Sequence, residues 1–206
     1  SAERALRVVR SELEGYLARD SEFERALKPR EAREGAPEIV VRMVEAARAC
    51  GVGPMAAVAG AVAEAVGRAL LAENQQVIVE NGGDIFLQTK TPRVAAIYAG
   101  ASPLSGKVGV RISRVGQPLG VCTSSGTVGH SLSFGKADAA IVLAESAALA
   151  DAAATALGNR VQTADDIDPA LVWLRGIEGA LGGAVVVGDK LGAWGEVELV
   201  RLGAEE

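Results

Sequence analysis

Three short segments of this chain set oxygen-bearing side chains among glycines or small apolar residues, where they can meet a ligand or a cation. The first is Asn81-Gly82-Gly83-Asp84, at the end of a β-branched run. Two glycines let the backbone approach a ligand closely, and Asp84 can hold a hydroxyl or a metal-bound water. The commoner use of this pattern is an Asn-Gly turn or bulge in a hairpin with the aspartate solvated. The second segment, Cys122 to Ser133, gathers Thr123, Ser124, Ser125, Gly126 and Thr127 ahead of His130, the single histidine of the chain. Hydroxyls and free amides suit phosphate oxygens. His130 titrates in the range of a general base, although a lone histidine is at least as often structural. The third is the tract Ala147–Leu157, where Asp151 and Thr155 lie four residues apart and so share one helical face. A carboxylate among alanines is costly to desolvate unless a cation or donors meet it, and Mg²⁺ suits carboxylate and hydroxyl oxygens. The competing explanation is that Asp151 accepts backbone amides near a helix start while Thr155 bonds back to a carbonyl.

Other groups read as structural. Asp165, Asp166 and Asp168 fit a solvated turn and a helix cap better than a metal cluster. The loop lacks the Gly-Lys-Ser/Thr ending of a Walker motif and the Gly-x-Ser-x-Gly elbow of a serine hydrolase. Cys122 is a conceivable reactive thiol beside the loop hydroxyls, but nothing in the sequence supplies an electropositive setting.

Composition narrows the field. Hydrophobic residues make up 49% of 206 residues, enough for a full core, while aromatics are only 3% and net charge is −5. Neither base stacking nor a basic footprint for a phosphate backbone is present, so nucleic acid is not an expected partner. Cys50 and Cys122 form no metal or disulfide spacing, which fits a cytoplasmic protein. The longest apolar run, Met55 to Leu71, is interrupted by Glu64 and Arg68. It falls short of the about 18–20 apolar residues of a membrane span, and no membrane role is expected.

The elements that must position these residues follow from periodicity. Residues 3–28 read as a helix, 29–37 as a polar linker, and 38–49 as a helix burying Ile39, Met43, Ala46 and Ala47. Pro54 opens a nearly all-apolar helix to about Ala72, fit for the interior. Strands are expected over 77–87, 94–100, 107–113, 119–126 and 137–144. Helices over 146–158 and 169–176, the latter capped by Asp168, precede two strands in 183–200 around a Gly-Asp turn. Helices, then strands, then helices and a hairpin make an α+β pattern.

Gly82-Gly83-Asp84, Ser124-Ser125-Gly126 with His130, and Ala-Asp-Ala-Ala-Ala-Thr-Ala-Leu over 150–157 occur in the order found in the ApbE superfamily, and the chain resembles a short branch of it. The resemblance is carried by VGPMAAVAGAVAEAVG (52–67), VENGGDIF (79–86), GVCTSSGTVGHSLSFGKADA (120–139) and ALADAAATALGN (148–159), within about residues 37–200. It implies an ApbE-like fold, a mixed, largely antiparallel sheet core packed with helices in a single domain over 1–206. It implies a flavin nucleotide, FAD or FMN, bound with Mg²⁺, and FMN transfer to an acceptor flavoprotein, as in Mg-dependent FAD:protein FMN transferases. By position, Asp151, Thr155 and the Ala154 carbonyl would hold Mg²⁺, with Asp151 and His130 as catalytic groups. Asn81, Gly82, Gly83 and Asp84 together with Thr123, Ser124, Ser125, Gly126 and Thr127 would line the nucleotide pocket. The transferases carry their histidine farther beyond the Ser-Gly, in a His-Ile-x-Asp-Pro-like segment. The alternatives are a nucleotide-binding module without chemistry and a sulfur-assimilation accessory protein using Cys122. Relatives of the branch usually start with strands, so further sequence ahead of Ser1 is expected. A homo-oligomer is compatible with all three.

Overall fold

The computed structural model describes residues 1–128 and 133–203. Alternation along the strands explains its layers. In β6 (Ala139–Ala144), Ala139, Ile141 and Leu143 join one apolar cluster, while Ala140, Val142 and Ala144 join another. The same two-residue period sends Val121 one way and Cys122 the other in β5 (Leu119–Ser124). In β7 (Ala180–Val187) it separates Ala184 and Val186 from Val185. A strand apolar on both faces must be covered on both.

With β1 (Val77–Asn81), β2 (Asp84–Gln88) and β8 (Lys190–Gly195) these strands form a six-stranded antiparallel sheet in the order β1-β2-β5-β6-β7-β8. A three-stranded antiparallel sheet of β3 (Arg93–Ala96), β4 (Val108–Ile112) and β9 (Glu198–Arg201), in the order β3-β4-β9, covers one face through Ile97, Val110 and Ile112. Helices cover the other. Of α1 (Ala2–Leu17), the short α2 (Ser21–Arg25), α3 (Glu38–Cys50), α4 (Val58–Leu71), α5 (Ala147–Asn159) and α6 (Ile167–Leu174), the last three pack on the strands and the first three lie outside them. The α+β class with a largely antiparallel core is therefore observed.

Several elements differ from expectation for identifiable reasons. The helix expected over 3–28 breaks after Leu17, because the Asp20 side chain accepts the Phe23 amide and restarts the chain as α2. The segment 77–87 is two strands, not one: Gly82 and Gly83 take φ of 66° and 105°, and Asn81 pairs with Asp84 across the turn. Both turn residues need positive φ, which glycine adopts without steric cost. Asp168 lies inside α6 and caps nothing; Thr163 and Asp166 form the capping box of the preceding 3₁₀ turn. The chain end supplies β9 to the second sheet in addition to the hairpin β7–β8.

The stretch Pro54–Leu71, expected to be too short and interrupted, is by length and composition apolar enough to cross a membrane, with 18 residues of mean hydropathy 1.4. In this fold its helical part, α4, packs on α1, α5, β1 and β2 as a core helix.

Candidate functional site

Helices α4 and α5 run antiparallel, and each supplies a carboxylate to the first turn of the other. Glu64 of α4 accepts the Ala147 amide at 2.8 Å, and the Ala148 amide at 3.4 Å. Asp151 of α5 accepts the Gly60 amide at 2.9 Å through Oδ2. The first amides of a helix lack partners and carry partial positive charge, so a carboxylate there is favoured. The proposal that Asp151 accepts helix-start amides is thus half right. The helix start is that of α4, not its own, whose N-cap Ser146 accepts the Leu149 amide.

Asp84, first residue of β2, is buried at 7% exposure, not solvated as a hairpin turn would leave it. Its Oδ1 has no hydrogen-bond partner among the described residues. Burial pushes the Asp84 carboxyl up to about 6, against a smaller opposing pull from the Cys122 thiol and the Thr123 amide; Glu80 pushes it further up. The Cys122 thiol itself donates to the Ala147 carbonyl at 3.4 Å, so it does not relieve Oδ1. Burial first, and then the Asp84 charge, raise Asp151 well above the ordinary carboxylate range, with the Gly60 and Ala59 amides opposing. Part of the Asp151 side chain still faces open space, because two cavities meet at it.

One cavity, of about 290 Å³, lies toward the N-terminal segment and includes Leu27, Met55, Phe134 and Asn159 in its wall. The other, of about 580 Å³, opens between the two sheets. Its floor is Ile85, Val110, Val121 and Ile141, and its rim includes Tyr98. Asp84, Asp151 and Thr155 line both. Two like charges in a desolvated place, one with an orphaned oxygen, are satisfied by a hard cation. No group of three or more His, Cys, Asp or Glu side chains able to hold a metal occurs among the described residues. The donor set is two carboxylates and a hydroxyl, which suits an ion that keeps waters or phosphate oxygens in its other positions.

The remaining residues singled out from sequence divide clearly. Gly82, Gly83, Thr123, Ser124 and Ser125 line the larger cavity. Asn81, Gly126, Thr127 and Ala154 line neither. The Asn81 side chain donates to the Ala59 carbonyl, tying the hairpin to the start of α4. Thr127 donates to Asp138, which also accepts the Gly188 amide. Ala154 is fully buried within α5, its carbonyl inside the helical ladder. His130 lies outside the described residues. Asp165 and Asp166 belong to a turn: Asp166 accepts the Gln162 and Thr163 amides, which lower its pKa.

Sequence reading passed over Glu64, noted only as a break in an apolar run. It is fully buried, and its Oε1 meets Arg68 at 2.7 Å and Arg42 at 3.2 Å. A single Glu in a stretch of Ala and Val was the available signal, since a buried carboxylate requires partners.

A model of the family described as AbpE bacteria matches residues 1–172. The chain belongs to this family. The AbpE bacteria assignment bears out the resemblance to an ApbE-like branch. A UPF0280 protein from Methanocella arvoryzae is 45% identical over 195 residues, spanning 94% of this chain and 79% of that protein. The structure of Pseudomonas stutzeri flavinyl transferase ApbE in its apo form superposes with a TM-score of 0.47 and 18% identity, covering 70% of this chain and 51% of that one. The flavin transferase ApbE from Vibrio cholerae gives 0.49 and 16%, covering 90% and 73%. Membership in AbpE bacteria rests on the family model, not on these two likenesses.

Proposed function

We propose that this protein binds a flavin nucleotide, FAD or FMN, through Mg²⁺ at the junction of the two cavities, as the donor site of FMN transfer to a partner protein. The observation that carries the proposal is the pairing of Asp84 and Asp151, two desolvated carboxylates with an orphaned oxygen between two cavities. Asp84, Asp151 and the Thr155 hydroxyl are the residues that would hold Mg²⁺. Bound there, the ion would neutralise charge on a pyrophosphate and on the leaving phosphate.

The chain's own groups do the rest. Thr123, Ser124 and Ser125 line the larger cavity at the end of β5, where hydroxyls and amides can orient phosphate oxygens. Ser125 is held for this by its own contacts, its Oγ accepting the Val128 amide at 2.9 Å. The floor of the same space is apolar. Acceptance of the proton from an acceptor hydroxyl is assigned to His130 by the resemblance alone. The two buried, unpaired cysteines fit a cytoplasmic setting.

Titration with FAD, FMN and ADP, each with and without Mg²⁺, tests the proposal. Mg-dependent binding that Asp151→Ala removes is the expected result. Failure of all three to bind below millimolar concentration would overturn it. AMP release from FAD in the presence of an acceptor separates a transferase from a module that only binds nucleotide. The sulfur-accessory reading gains nothing from Cys122. The thiol is fully buried, and burial together with the Asp84 and Asp151 charges pushes its pKa well up, opposing the thiolate that sulfur transfer requires.

A further inference from the structure

Glu64 lies outside both cavities, yet it is built into the same helix contact as Asp151. Gly60 and Glu64 are one turn apart on α4, as are Ala147 and Asp151 on α5. The two carboxylates therefore clasp the same pair of helices in opposite directions, Asp151 onto the Gly60 amide and Glu64 onto the Ala147 amide. Between them the helices touch almost backbone to backbone. A Cβ on Gly60 would stand 2.1 Å from the Ala147 carbonyl oxygen and 2.8 Å from the Asp151 Cβ. No layer of long side chains is present there to absorb a slide of one helix along the other. Such a slide would carry Asp151 away from Asp84, which sits on β2 and would not follow.

We propose that Glu64 is a positioning residue for Asp151: by holding the first turn of α5, it fixes the axial register of α5 on α4 and so the placement of Asp151 against Asp84 in which both carboxylates reach one divalent cation. The inference rests on reading those two carboxylates as cation ligands. Glu64 is suited to the task because its own charge is balanced. Arg42 and Arg68 hold Oε1, which leaves Oε2 directed at the α5 amides. Arg42 is in turn held by Glu38 at 2.6 Å, so the clamp is anchored on α3 as well as α4.

The test is titration of the full chain with MgCl₂, alone and with saturating FAD, followed by heat of binding. It is run where circular dichroism shows each variant folded. Glu64→Met keeps the side-chain length and removes the acceptor; Glu64→Gln keeps an acceptor for Ala147. In Glu64→Met the half-saturating Mg²⁺ concentration should rise by about tenfold or more, the usual cost of losing a group that orients a metal ligand. In Glu64→Gln it should return close to the wild-type value. A purely structural Glu64 would lower the melting temperature of the Met variant and leave its Mg²⁺ half-saturation unchanged, and that result overturns the inference. If Glu64→Met does not fold, Glu64→Asp decides, since it keeps the charge for both arginines and shortens the reach to α5. An unchanged half-saturation in it overturns the inference equally. Absence of any Mg²⁺ response in the wild type would instead remove the proposed function itself.

Discussion

At one end of the α4–α5 contact, Glu64 accepts two amides and faces the guanidinium groups of Arg42 and Arg68. At the other end, one turn away, Asp151 accepts an amide and faces another carboxylate, Asp84. Both are acids set against a helix N-terminus among small apolar residues. They differ in counter-charge. A buried acid with its cations in place needs nothing further from outside and serves the fold. A pair of buried acids without a cation is unfavourable in isolation, and strongly shifted acids in a cavity mark places where a ligand supplies the missing charge. The Asp84–Asp151 end also opens to both cavities, while Glu64 lines neither.

The comparison breaks most visibly in stability. Removing Glu64 as Glu64→Ala strips two amides of their acceptor and two arginines of their partner, and should cost about 3–5 kcal/mol in urea unfolding. Asp151→Asn keeps an acceptor oxygen for Gly60 and removes a like charge beside Asp84. In the absence of metal it should leave stability within about 1 kcal/mol of wild type or raise it, while abolishing the Mg²⁺ response. Equal losses at the two positions would show that both carboxylates are structural.

A second break is by pH, and it reads the Asp84–Asp151 end. The folded Asp84 carboxyl, pushed up to about 6 by burial, lies above the unfolded value near 3.9. Folding then favours the protonated form. That stability is fully present below about pH 4 and is lost as pH rises through about 6, on the order of 3 kcal/mol by pH 7. Asp151, raised in the same direction, adds to the loss. The metal-free protein should therefore melt at a higher temperature near pH 5 than near pH 7, provided the contribution of other groups is measured in Asp84→Asn and subtracted. Saturating Mg²⁺ should flatten the profile by favouring the ionised pair. A profile that Asp84→Asn does not change would place the pH dependence elsewhere.

What was legible in the sequence divides along the same line. The helix face of Ile39, Met43, Ala46 and Ala47, the start at Ser146 and the strands over 119–126 and 137–144 are local patterns, and the structure keeps them. Asn81-Gly82-Gly83 announced a turn but not what lay behind it. Asp84 is buried because β2 is flanked by β1 and β5 and covered by α4 and α5, and of these β5 and α5 are distant in sequence. Asp151 and Thr155 were visible as a polar pair in an alanine tract, yet the amide that Asp151 accepts belongs to Gly60, 91 residues away. Glu64 was least legible of all. Its amide partners lie 83 and 84 residues away, and only its two arginines are near on the surface of the same helical layer.

The smallest expected effect separates the local cap of α5 from the long-range one. Ser146 accepts the Leu149 amide at 3.1 Å, and Glu64 accepts the two amides before it. Loss of an N-cap side chain costs about 1 kcal/mol. Ser146→Ala should therefore lower stability by that amount, well under the loss in Glu64→Ala, because it leaves no buried charge without a partner. If α5 register is held by Glu64, Ser146→Ala should also leave the Mg²⁺ half-saturation unchanged, since the Ala147 and Ala148 amides remain clasped. A shift in Mg²⁺ affinity as large as that of Glu64→Met would mean that the first turn of α5 is positioned by its own cap, and that the buried ion cluster only stabilises the helices it joins.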